Sequence, residues 1–122
     1  EERVVLRKDD FQPCLVIYPE SAWSALVDTV RARLNRWDPQ QQMMFRQFVS
    51  DVEVQTLDSA GRILIPRRYL QMAAIDTAVK IIGMDDSMEL WADDGSGKPF
   101  MEPADFVKAM QQIMNPENDN DR

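Results

Sequence analysis

Apolar positions along the chain change period several times, and each change marks an element. Val4-Val5-Leu6, within residues 3 to 8, and Cys14-Leu15-Val16-Ile17-Tyr18 are short apolar, β-branched runs separated by the polar stretch through Asp9, Asp10, Gln12 and Pro13, and they predict two strands. From Pro19-Glu20 the spacing becomes helical: Trp23, Leu26, Val27, Val30 and Leu34 recur every third or fourth position on one face, with proline and an acid at the start. Asp38-Pro39, a cap followed by proline, opens a second helix that is expected to bury Met44, Phe45, Phe48 and Val49. The two predict a helical hairpin.

Val52-Glu53-Val54-Gln55-Thr56 then alternates as a half-buried strand does, and residues 62 to 65, with Ile63-Leu64-Ile65, predict its partner across a turn. Asp58 can bond its own backbone there, and Gly61 can take the positive φ of a tight reversal. Taken alone, that turn is a reversal carrying a solvated Arg62. Pro66 ends the strand and opens a short helix with Tyr69, Leu70, Ala73 and Ala74. Two more strands, 78 to 82 and 88 to 91, flank a turn from Gly83 to Ser87, where the paired acids Asp85-Asp86 read as turn residues and not as a metal site. Asp93 to Lys98, with Gly95-Ser96-Gly97, reads as a flexible connector. A last helix from near Pro103 places Phe106, Val107, Met110, Ile113 and Met114 on one face, and the polar tail from Asn115 to Arg122 is expected to be disordered.

Composition narrows the function classes. With 122 residues, 44% apolar and 29% charged, the chain is expected to be one soluble globular domain, and no run approaches the ~18 apolar residues of a membrane span. Its start lacks both a methionine and signal-peptide organisation, so the chain reads as trimmed. The single cysteine, Cys14, lies in an apolar run and is expected to be a reduced core residue of a cytoplasmic protein. Without histidine there is no histidine triad, histidine metal site or imidazole acid/base chemistry, and no motif surrounds Lys8, Lys80 or Lys108. No enzyme, cofactor, metal or small-molecule substrate is therefore expected. Trp23, Trp37 and Trp91 read as packing residues, and Met43, Met44, Met110 and Met114 as core or interface filler.

The net charge of −7 would repel nucleic acid, but it is unevenly spread. Residues 93 to 122 hold seven acids against three bases, whereas the segment from Asp58 to Leu70 holds three arginines, Arg62, Arg67 and Arg68, against one acid. So small a positive spot needs several copies to hold DNA.

The strand pair 4 to 18 is echoed by the pair 79 to 91, and only the second is preceded by a strand, turn and strand. A tandem repeat whose first unit lacks its front would give this pattern. The residues V-V-L-R-K-D-D-F-Q-P-C-L-V-I-Y-P-E-S-A-W at 4 to 23, F-R-Q-F-V-S at 45 to 50, D-S-A-G-R-I-L-I-P at 58 to 66 and V-K-I-I-G-M-D-D-S-M-E-L-W at 79 to 91 resemble, in order, the MraZ family of bacterial transcriptional regulators.

The resemblance implies an α+β fold: tandem AbrB-like swapped-hairpin β-barrel halves with a helical hairpin between them. The expected division is 1–23 for the remainder of the first AbrB-like unit, 24–50 for the connecting helical hairpin, 51–94 for the second unit, and 95–122 for a linker, C-terminal helix and acidic tail. It further implies ring-shaped homo-oligomers that bind repeated double-stranded DNA sites upstream of the division and cell-wall gene cluster, usually as a repressor associated with the nucleoid. Carried over to this chain, Asp58 and Gly61 shape the loop and Arg62 reaches DNA, on phosphate or on a base edge. Arg67 and Arg68 are secondary DNA-binding candidates. There are two departures: the first unit's own loop would lie before Glu1, and Ala60 stands where such loops often have lysine or glutamine. A reading of another class also follows, since AbrB-type barrels occur in antitoxins; there the last helix, through Phe106, Val107, Met110 and Ile113, would bind a protein partner.

Overall fold

The computed structural model describes residues 2–115. Five strands and four helices alternate in the order β1 (Arg3–Lys8), β2 (Leu15–Pro19), α1 (Glu20–Ala32), α2 (Pro39–Ser50), β3 (Glu53–Thr56), α3 (Arg67–Met72), β4 (Val79–Gly83), β5 (Met88–Ala92) and α4 (Pro103–Met114). The strands form one antiparallel sheet in the order β3-β1-β2-β5-β4. The fold is α+β.

The echo in the sequence has a spatial meaning. Hairpins β1-β2 and β4-β5 lie side by side, joined through their second strands in the register Leu15↔Leu90, Val16↔Glu89, Ile17↔Met88. An antiparallel seam between like strands is what a local two-fold relation between two similar hairpins produces. β3, which precedes the second hairpin in the chain, pairs with β1 of the first, Val5 opposite Val54. The corresponding edge of β4 has no strand against it among the described residues, and Ile81 there is 62% exposed.

Both faces of the central strands are covered, which is why β1 and β2 read as continuous apolar runs instead of alternating. On one face Leu6, Leu15, Ile17 and Leu90 pack with Tyr69 and Ala73 from the α3 segment, supported by Val4, Ile63, Ile65 and Ile75. On the other, Cys14, Val16 and Trp91 cluster with Tyr18 and Ile82. Tyr18 continues into Trp23 of α1, at 5.6 Å between ring centroids, and Trp23 into Phe48 of α2, at 5.1 Å. That ring stack joins the helical hairpin to the sheet. Asp38 caps α2 as expected, its carboxylate accepting from the Gln40 and Gln41 N–H groups.

Several expectations are corrected. Residues 62 to 65 form no strand, because Ile63 and Ile65 turn onto the sheet core while Leu64 between them is 78% exposed. Burying those two isoleucines draws the segment away from β3. One substitute for the missing ladder is the Leu64 N–H, which donates to the Gln55 side-chain oxygen at 3.1 Å. α2 buries none of its residues fully: Phe45, Phe48 and Val49 are half-buried and Met44 is exposed, since α1 and α2 cover the sheet only along the aromatic stack. Trp37 is not a packing residue. It sits in the α1–α2 turn and is 85% exposed. Met43, Met110 and Met114 are exposed too, so none fills the core of this chain.

α4 forms where its periodicity placed it, with Asp105 in the first turn, but Phe106, Val107, Met110 and Ile113 are all exposed. The connector before it is partly held, Lys80 donating to the Lys98 carbonyl at 3.1 Å. Asp85 takes a φ of 72° in the β4–β5 turn, closed by the Met84 N–H on the Ser87 carbonyl at 2.8 Å. Apart from Asn115, which ends α4, the expected disordered tail falls outside the described residues.

Candidate nucleic-acid interface

The turn between β3 and α3 is built around one carboxylate. Asp58 Oδ1 accepts from the backbone N–H groups of Ala60 at 2.9 Å and Arg62 at 2.8 Å. The main chain closes on itself as well, the Asp58 N–H donating to the Arg62 carbonyl at 3.0 Å and the Gly61 N–H to the Asp58 carbonyl at 2.9 Å. Gly61 sits at φ +77°, a left-handed conformation that a residue with a Cβ adopts only under strain. Asp58 and Gly61 thus close the turn, one through its carboxylate and the other through its backbone. Four hydrogen bonds in five residues make a rigid tip.

Arg62 leaves this tip with its side chain 78% exposed. The second oxygen of the same carboxylate, Asp58 Oδ2, accepts from Arg62 Nε at 3.0 Å. One carboxylate therefore fixes both the backbone of the turn and the base of the guanidinium, leaving the two Nη groups directed to solvent. The Arg62 backbone N–H is the largest cause holding the Asp58 carboxyl below its ordinary range, and the guanidinium's hydrogen bond adds to it.

The secondary candidates separate. Arg68 Nη2 donates to Glu53 Oε2 at 3.2 Å and its guanidinium lies 4.7 Å from the Tyr69 ring centre, so it braces α3 against β3. Arg67, the first residue of α3, is exposed and has no ion pair among the described residues. Gln55 is a supporting residue that sequence reasoning missed, as its side chain holds the extended segment leaving the tip. Its position across the turn from Leu64 was the available signal.

Among the described residues no cluster of metal-binding side chains forms, and no helix is long and apolar enough to cross a membrane. Known proteins agree with the motif that singled out this turn. The family model described as "MraZ protein, putative antitoxin-like" matches residues 48–95, a span that contains the whole tip. Over 121 residues the chain is 52% identical to a protein of Bacteroides thetaiotaomicron named transcriptional regulator MraZ, covering 99% of this chain and 78% of that one. Proteins of the same name from Phocaeicola vulgatus and Bacteroides fragilis are 51% identical over 118 residues and 50% over 117, covering 97% and 96% of this chain and 77% and 74% of theirs. With half its residues shared along nearly its whole length, the chain belongs to the MraZ family.

Proposed function

We propose that this chain is a DNA-binding transcriptional regulator, and that the Asp58-braced tip is where it meets double-stranded DNA. The observation that carries this is a single exposed arginine, Arg62, held on a rigid turn in a chain whose net charge is −7. Such a chain gains nothing from general electrostatic attraction, so its contact with DNA has to be local and repeated. One such contact, on phosphate or on a base edge, binds weakly, and several tips in register bind usefully. A ring-shaped homo-oligomer on repeated sites supplies that register.

The reading extends to a repressor, nucleoid-associated in the cytoplasm, acting upstream of the division and cell-wall gene cluster. It divides the chain as 1–23, first-unit remainder; 24–50, helical hairpin; 51–94, second unit with the tip; and 95–122, linker, last helix and tail. Arg67 is a second DNA contact, and Arg68 contributes by holding α3. A protein-partner reading of the antitoxin kind is favoured by one observation, the exposed apolar face of α4. Removal of residues beyond Trp91 discriminates the two, because it spares DNA binding and abolishes partner binding.

The test is affinity, measured by fluorescence anisotropy over a range of salt, for upstream repeat DNA and for a scrambled duplex. The regulator reading expects selective, salt-sensitive binding that Arg62→Ala removes. Equal binding to both duplexes, unchanged by Arg62→Ala, would leave the turn as only a turn.

A further inference from the structure

Resting on the DNA-binding reading, we propose that Arg62 reads a guanine edge and is not a phosphate anchor, and that Asp58 is the residue that sets this preference. The geometry supplies the first half. With Nε committed to Asp58 Oδ2 at 3.0 Å, what Arg62 offers a ligand is the Nη1/Nη2 edge, two parallel donors. Guanine presents two neighbouring acceptors, O6 and N7, in the major groove, and a planar pair of donors matches them. Because Asp58 Oδ1 is itself held by two backbone N–H groups, the direction of that edge is fixed relative to the turn before DNA arrives.

Charge supplies the second half. The Asp58–Arg62 pair is formally neutral, and Ser59, Ala60 and Gly61 between them carry no charge. A phosphate drawn to the guanidinium would meet the carboxylate behind it, and its attraction would be largely offset. Guanine's acceptors are neutral and incur no such repulsion. The tip residues Ser59, Ala60 and Gly61 are small, and the major groove, roughly 12 Å wide, admits elements as broad as an α-helix.

The test uses the full chain and a duplex that it binds selectively, with guanines replaced one at a time by 7-deazaguanine, which lacks the N7 acceptor. For each bound repeat, one replacement is expected to lower affinity about three- to tenfold, the loss of the N7 half of one bidentate pair. In the Arg62→Ala background the same replacement is expected to have no effect. Asp58→Asn keeps an acceptor for the two backbone N–H groups but removes the charge and the Nε acceptor. It is expected to tighten binding to scrambled DNA, to steepen the salt slope by about 0.9 for each engaged tip, and to narrow the preference for the true site. Arg62→Lys is expected to keep scrambled-DNA binding and lose the preference. Retained protection of the Ala60 and Arg62 amide protons from solvent exchange verifies the turn in the Asp58 variant, with Asp58→Ser as a second variant that can accept the same backbone bonds. If every deaza duplex binds like the parent and Arg62→Lys behaves as the natural chain, Arg62 is a phosphate anchor and this inference is overturned while the regulator reading stands. If no duplex is preferred and Arg62→Ala changes nothing, both fall together.

Discussion

Arg7 sits in the middle of β1 and is 5% exposed, which no apolar pattern would place there. Its Nη2 donates to both oxygens of Asp10 at 3.1 and 3.2 Å, and its guanidinium lies 4.8 Å from the Phe48 ring centre and 5.8 Å from that of Trp23. Nε has no hydrogen-bond partner. The charge therefore depends on one carboxylate, the Tyr18 hydroxyl and two aromatic faces. Removing one partner of a fully buried pair costs about 3–5 kcal/mol, but a cleft lined by Phe11, Met44, Gln47 and Asp51 lets water reach Asp10, so Asp10→Ala is expected to cost roughly 1–2 kcal/mol. Arg7→Met should cost less than about 1 kcal/mol, because it removes the buried charge and lets a thioether pack against the same rings. In the Arg7→Met background, Asp10→Ala should cost almost nothing, since it has no charge left to compensate. The assay is urea unfolding followed by circular dichroism at fixed protomer concentration. With m of about 2 kcal/mol per molar, the single Asp10 change moves the midpoint down by roughly half to one molar. An equal loss from Asp10→Ala in both backgrounds, or a larger loss from Arg7→Met than from Asp10→Ala, would refute the reasoning.

Tyr69→Ala, at a fully buried position that holds α3 on the sheet, should cost about 3–5 kcal/mol in urea unfolding, whereas Tyr69→Phe, losing only a 3.4 Å contact with Arg68, should stay within about 0.5 kcal/mol. Gly61→Ala meets no atom within 4 Å, so its cost is the left-handed backbone alone, about 1–2 kcal/mol by thermal melt. Asp58 has a depressed folded pKa, so its contribution is fully present above its ordinary value of 3.8 and is lost as pH falls through the lower folded value; the Gly61 and Arg62 amide shifts should report that loss, and Asp58→Asn should abolish it. Burial pushes the Cys14 thiol up to about 11, with Glu89 adding to it, so thiol reagents at pH 8 should leave it unmodified until the chain is unfolded.

Local chemistry was legible and distant pairing was not. The Asp38-Pro39 start of α2 and the Asp58–Gly61 turn depend on bonds within a few residues, and both appear where sequence placed them. The echo between the two hairpins was visible as composition, but that they meet through β2 and β5 is a long-range fact that no local period carries. Residues 62 to 65 have the apolar content of a strand, yet their fate was decided by α3 and the core beneath it. Nothing in the local pattern of β1 marks Arg7 as buried, because its burial comes from a helix some forty positions later in the chain, with Phe48 laid over it. For the candidate site, the turn made by Asp58 and Gly61 was legible from motif and turn chemistry. The ion pair that distinguishes Arg68 from Arg67 was not, because it depends on Glu53, which lies fifteen residues before Arg68.

The most direct measurement is to put a DNA-cleaving group on the tip itself. Ala60→Cys gives an attachment point for an iron chelate, Cys14 being buried and out of reach, and Ser96→Cys on the connector serves as the comparison site. Bound to its selected duplex, the chain labelled at position 60 should cut at one place in each repeat, and the chain labelled at 96 should cut weakly or not at all. Cleavage from position 96 with none from position 60 would mean that DNA, if bound, meets another face of the molecule, and that Arg62 does not read it.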